Sequence, residues 1–258
     1  MGRRGLFAAV GGALLCAGIA AAETVVDLSH AFDDATIYWP TEEGFVHEKG
    51  PAGETPGGYY YEAHRFRSAE HGGTHVDAPI HFSQDGLPVD RIPLQNLMGE
   101  GLVVDVEKAA AADRDYRVAV SDLTAFEARH GRIPNKAIVL IRTGFGSHWP
   151  DRERYLGTAQ KGPLAVAELH FPGLHPDAAR WLVANRGVRA VGIDTASIDP
   201  GPSTRFESHR VLAAHQVPVF ENVAAMDRLP ARNFRIVALP MKIRDGSGAP
   251  VRIIALVP

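Results

Sequence analysis

Residues 71–82 read His-Gly-Gly-Thr-His-Val-Asp-Ala-Pro-Ile-His-Phe, and no other stretch limits the fold so tightly. A helix would put His71 and His75 on one face but turn Asp77 away, and the Gly72-Gly73 pair disfavours a helix. Side chains alternate along a strand, so an extended segment sends His71, His75 and Asp77 to one side and Thr74 and Val76 to the other. Pro79 has no N–H for a ladder, so the strand should stop near Ala78 and the chain turn His81 back toward the same place. The fold must therefore shelter a strand that carries two imidazoles and a carboxylate on one face. That set is the first half of a shell for a divalent metal, and its ligand chemistry suits zinc and manganese alike. Three protein ligands leave a position open for water or substrate, as a catalytic metal requires.

The remaining chain supplies more strands than helices. Thr24 to His30, Tyr59 to Phe66, Gly101 to Val106, Ala137 to Ile141, Val191 to Ile193, Val217 to Glu221, Phe234 to Leu239 and Val251 to Val257 read as strands. The clearest helix runs from Pro176 to Asn185, with proline in its first turn and Gly187 after it. Ser121 to His130 reads as a helix capped by Ser121 and ended by Gly131, and Ser208 is placed to cap a short helix over His209 to Ala214. Gly50 to Gly58 reads as a surface loop. Strands and helices do not alternate regularly, which points to one α+β domain rather than a doubly wound sheet. No glycine-rich loop has nucleotide-binding spacing, so no nucleotide cofactor is indicated.

The chain of 258 residues carries a formal charge of −3, which leaves no basic footprint for nucleic acid. Residues 1–22 differ from the rest. Arg3 and Arg4 precede an apolar run that ends in Ala20-Ala21-Ala22, the layout of a cleaved secretory signal. The expectation is a mature domain from residue 23 to 258, exported to a bacterial periplasm and without stable membrane association. Cys16, the single cysteine, lies in that leader, so the mature chain has no disulfide and no thiolate ligand.

The segment His71 to Phe82 resembles the His-x-Gly-Thr-His-x-Asp-x-Pro-x-His-Phe signature of the cyclase family of metal-dependent hydrolases, which includes bacterial kynurenine formamidase and isatin hydrolase. Ser208-His209-Arg210-Val211-Leu212, followed by Val219-Phe220-Glu221-Asn222, resembles that family's second motif. The resemblance implies a swivelling β/β/α domain, with a mixed, barrel-like sheet and flanking helices, assembled as a homodimer or larger. It assigns His71, His75, Asp77, His209 and Glu221 to one or two zinc or manganese ions, with Asp77 and Glu221 able to bridge. It makes His81 the general acid/base and Trp39 a substrate contact. Independently, Glu221 ends an apolar strand, where an unpaired charge would be costly and a buried metal would account for it.

These expectations converge on a secreted amidohydrolase in which a metal activates water and His81 moves the proton that an amide nitrogen needs before it can leave. An arylformamidase acting on N-formylkynurenine is the named expectation, and a lactam or lactone hydrolase of the isatin hydrolase kind is the alternative. A periplasmic binding protein for a metal or small ligand is the reading from another class, and a purely structural metal is a third. A His81 outside the metal shell favours catalysis, because a storage site has no use for a proton shuttle.

Overall fold

The computed structural model describes Gly2 and residues 23–258. The leader read as an export signal lies outside the described residues. The main sheet contains β1 (Thr24–Asp27), β2 (His75–Asp77), β3 (Met98–Asp105), β4 (Ile138–Arg142), β5 (Ala190–Ile193), β6 (Val219–Glu221), β7 (Phe234–Pro240) and β8 (Gly248–Val257). Seven of these close on themselves in the order β8-β7-β3-β4-β5-β6-β2, and β2 returns to β8. The length of β8 makes the closure possible. Its first residues, Gly248 to Pro250, pair with β2, its last four pair with β1, and its other edge pairs with β7. This is the mixed, barrel-like α+β sheet that the family resemblance implies.

The arc β3-β4-β5-β6 is parallel, and the other pairings are antiparallel. Each parallel step needs a crossover, and the three crossovers carry α1 (Val120–His130), α2 (Pro176–Arg186) and α3 (Glu207–Ala214). Between residues 98 and 221 the elements therefore alternate more regularly than the sequence suggests. Alternation within the strands divides the core in two. Ile138 and Leu140 point into the barrel with Val76, Phe220, Ile236 and Ile253. Val139, Ile141, Val191 and Ile193 point outward and pack on Leu123, Phe126, Leu182 and Leu212 of the helices. Each such buried side chain contributes about 1.5–3 kcal/mol. Because Val76 and Phe220 face the barrel interior, their neighbours His75, Asp77 and Glu221 must face outward, on the side that α3 covers.

Several local expectations change. The cap of α1 is Ala119, not Ser121: the Asp122 carboxylate folds back to accept the Ala119 N–H at 2.8 Å, and Tyr116 also donates to it. Ser208 lies inside α3, where its hydroxyl donates to Leu174 O at 2.6 Å instead of capping the helix. The strand expected over 59–66 is replaced by two short ones, Tyr60–Glu62 and Arg65–Arg67, each in its own antiparallel pair. Tyr60–Glu62 pairs with Ala52–Glu54, so the loop expected over 50–58 holds a strand. Gly187 ends α2 in the left-handed region, as expected from its position.

His30 is half-buried in the fold. Its ring stacks on Trp149 with centroids 4.1 Å apart. Burial pushes it down to about 4, against the pull of Asp27. Above pH 6.5 the ring is neutral in both folded and unfolded chains and contributes no pH dependence. As pH falls from 6.5 toward 4, only the unfolded chain takes up the proton, so stability is lost, by about 3 kcal/mol at pH 4. A His30→Phe protein should therefore show a shallower acid limb between pH 6.5 and 4 in urea titrations than the wild type. Superimposable limbs would mean that His30 takes up its proton in the folded state.

Candidate metal centre

Cross-strand register assembles the site. On the β2–β6 pair His75 lies directly opposite Glu221, which places their side chains about 5 Å apart on the outward face. Asp77 is two residues further along the same face. Helix α3 lays His209 over the pair. Its Nε2 is 3.0 Å from Glu221 Oε1 and 3.1 Å from Asp77 Oδ2. His75 Nε2 is 3.2 Å from Asp77 Oδ1 and 3.6 Å from Glu221 Oε2. All four residues are buried, between 3% and 5% exposed.

His71 reaches the same place by another route. The strand begins only at His75, so His71 is not on it. Gly72 bridges to Tyr38, and Gly73 turns with φ of 56°, in a region where a side chain is strained. A Cβ on Gly73 would also come within 2.6 Å of the Phe32 ring. The turn folds His71 back until its Nδ1 is 2.7 Å from Asp77 Oδ1. His81 follows from the short 3-10 turn Pro79–His81, and its ring stacks on His71 with centroids 3.8 Å apart. The expected turn at Pro79 thus brings His81 to the site.

The electrostatics call for a cation. Among the described residues, Asp77 and Glu221 have only histidines as ion-pair partners. Burial and the neighbouring Asp77 charge push Glu221 above the usual carboxylate range. Burial works against charge on Asp77 too, but the surrounding histidines outweigh it and hold Asp77 well below that range. Burial likewise works to lower His75 and His209, yet the carboxylates raise both. His81 goes the other way. Burial and the neighbouring histidines push it down to about 4 against the pull of Asp77, so it is neutral near pH 7.

The outer hydrogen bonds fit the same purpose. His75 donates Nδ1–H to Gly73 O at 3.0 Å, and His209 donates Nδ1–H to Asp199 Oδ2 at 2.7 Å. Both Nε2 lone pairs are thereby turned toward the carboxylates, the arrangement found around metal-ligating histidines. Asp199 also accepts the Ser208 and His209 N–H groups and so caps α3 in place of Ser208. The sequence gives no sign of Asp199 beyond its position in a glycine- and proline-rich loop. Groups of ligand atoms within 4.8 Å of one another are formed by His75, Asp77 and Glu221, and by His71, Asp77 and His81. Two imidazoles whose Nδ1 atoms are taken up elsewhere, with both Nε2 atoms converging on two buried carboxylates, make a donor set that fits a divalent cation in place of protons.

A cavity of about 490 Å³ opens onto this cluster. Its lining includes His71, His81 and His209 at one end, with Trp39, Phe82 and Phe206 as an aromatic wall. Phe82 lies 4.3 Å from the His209 ring and 5.4 Å from Phe206, and Trp39 lies 6.2 Å from Phe206, centroid to centroid. Trp39, to which the family resemblance gives a substrate contact, lines the cavity. Phe206, which neither motif marks, holds a left-handed φ of 48° next to α3.

The sequence and fold have solved and curated counterparts. The Cyclase family model matches residues 26–200, which include the segment 71–82. The isatin hydrolase of Roseibium aggregatum is 33% identical over 198 residues, covering 73% of this chain and 72% of that protein. The kynurenine formamidase of Bacillus cereus is 27% identical over 229 residues, covering 89% and 95%. The structure of isatin hydrolase A from Labrenzia aggregata bound to benzyl benzoate superposes with a TM-score of 0.81 at 32% identity, over 91% of this chain and 94% of that one. Matches of this extent, on a barrel whose outward face carries the histidine–carboxylate cluster, make the chain a member of the Cyclase family.

Proposed function

We propose that this protein is a metal-dependent hydrolase that cleaves the C–N bond of a small aromatic lactam of the isatin kind. The observation that carries the reading is the composition of the cavity: an aromatic wall ends at the histidine–carboxylate cluster, and no lysine or arginine is among the described lining residues. A flat bicyclic ring finds stacking partners in Trp39, Phe82 and Phe206. N-formylkynurenine carries a free carboxylate, which would meet Glu42 and Glu70 on the lining and no lysine or arginine to pair with it. Arylformamidase activity is the second reading, supported by the extent of the match to the Bacillus cereus enzyme.

His71, His75, Asp77, His209 and Glu221 would hold zinc or manganese, as one ion or two. Both Asp77 oxygens already lie against different histidines, which suits a bridging role. When bound, such a metal polarises the substrate carbonyl and makes water a nucleophile near neutral pH. His81 is neutral and close to the cluster, so a ring nitrogen can accept the proton of the attacking water. The same nitrogen returns it to the leaving amide nitrogen, which departs only once protonated. Trp39 and Phe206 hold the ring plane and limit water around it. Export of the mature domain and homodimer assembly belong to this proposal, supported by the residue 1–22 pattern and by the exposed aromatics Tyr59, Tyr60, Tyr61 and Phe66. Cell fractionation and sedimentation test them.

Purified protein should be assayed with isatin and N-formylkynurenine before and after chelation. The expected result is chelator-sensitive opening of isatin, faster than hydrolysis of the formamide. Faster hydrolysis of the formamide would move the assignment to the second reading. A metal-loaded sample inert toward both compounds would contradict the proposal.

A further inference from the structure

His75 and His209 have their outward nitrogens fixed by Gly73 and Asp199, but His71 is held by groups outside both sequence motifs. Its Nε2 is 2.8 Å from Ser247 Oγ, on the strand-entry turn of β8. Ser247 Oγ donates in turn to Glu70 Oε2 at 2.6 Å. A hydroxyl has one proton to give, so once it donates to Glu70 it can only accept from His71. In the neutral ring that a metal ligand must be, the His71 proton then resides on Nε2, and Nδ1 carries the lone pair. That Nδ1 is the atom 2.7 Å from Asp77 Oδ1, which sets two donor atoms side by side.

The turn is built to hold this chain of bonds in place. Glu70 Oε2 also accepts the N–H groups of Ser247 at 2.8 Å and Gly248 at 3.3 Å. Ser247 O accepts the Ala78 N–H at 2.9 Å, which ties the turn to the end of β2. At Gly248 a Cβ would fall 2.5 Å from His71 Cε1 and 2.6 Å from Val76 O, so a larger residue would displace the ring or the strand.

We infer that Glu70 and Ser247 are positioning residues that fix His71 as an Nδ1 donor to a metal, whereas His75 and His209 donate through Nε2. The inference rests on the metal reading above and assigns a role to two residues that neither motif contains. Partners of this kind are worth roughly 10- to 100-fold in metal affinity.

The test uses the full-length mature protein loaded with zinc. Long-range ¹⁵N–¹H correlation should show His71 with its proton on Nε2 and zinc on Nδ1, and His75 and His209 with the opposite arrangement. Competition with a chromophoric chelator should show zinc bound roughly 10- to 100-fold more weakly by Ser247→Ala and Glu70→Ala. Glu70→Gln, whose amide oxygen can still accept from Ser247, should recover most of the affinity. Thermal unfolding of the metal-free variants controls for damage to the turn. Zinc on Nε2 of His71, or wild-type affinity in both alanine variants, would overturn the inference while leaving the metal site standing. Failure of the wild type to bind either zinc or manganese would instead remove the metal reading itself.

Discussion

An Asp77→Asn protein is expected to lose hydrolysis by more than about 100-fold, beyond the loss typical of an outer partner of a metal ligand. Asp77 is the residue on which the others converge. One oxygen faces His71 and His75, and the other faces His209. Asparagine keeps the size but replaces one oxygen with an N–H₂ donor, and it removes one of the two buried charges that attract a cation. The metal-free protein should lose some stability, because the histidines that hold Asp77 well below the carboxylate range lose their charged partner, while relief of the repulsion that pushes Glu221 upward offsets part of that loss. Steady-state kinetics on metal-supplemented protein, with thermal unfolding of the metal-free form, read both effects. Full activity in a metal-supplemented Asp77→Asn protein would show that the reaction does not depend on this carboxylate.

A His81→Ala protein should retain its metal and lose turnover by roughly 100- to 10,000-fold, the range for removal of a general acid or base. His81 stacks on His71 and lines the cavity, while the buried carboxylates are met by His75 and His209. Its neutral ring near pH 7 suits an acceptor that must later give its proton back. Metal content and kcat measured on one preparation separate the two roles. A binding protein would show the same metal content and no catalytic difference between wild type and variant. Unchanged kcat would remove His81 from the mechanism.

Much of the site was legible in the sequence because it depends on short-range alternation. His75 and Asp77 share a face since they are two residues apart on a strand, and Pro79 marks where that strand stops. Alternation extended across Gly72 and Gly73 puts His71 on the same strand, but the strand starts at His75 and the chain turns at Gly73. His71 arrives at the site all the same, because the turn folds back onto Asp77. Closure of the barrel was not legible: the pairing of β2 with Gly248 to Pro250 joins segments far apart in the chain, and no local pattern announces it. The partners of the site histidines were hidden for the same reason. Asp199 and Ser247 are ordinary loop residues until the fold sets them against His209 and His71. Local competition explains the misplaced caps, since Asp122 and Asp199 supply stronger acceptors than Ser121 and Ser208.

The most direct test of the central claim, that the outward face of β2 and β6 with α3 and His71 holds a divalent metal, is elemental analysis of the purified protein by mass spectrometry. The account predicts zinc or manganese near one or two equivalents per chain in the wild type, and a marked fall in the Asp77→Asn protein prepared alongside. A folded wild-type sample that contains neither metal, and takes up neither when it is added, would contradict it.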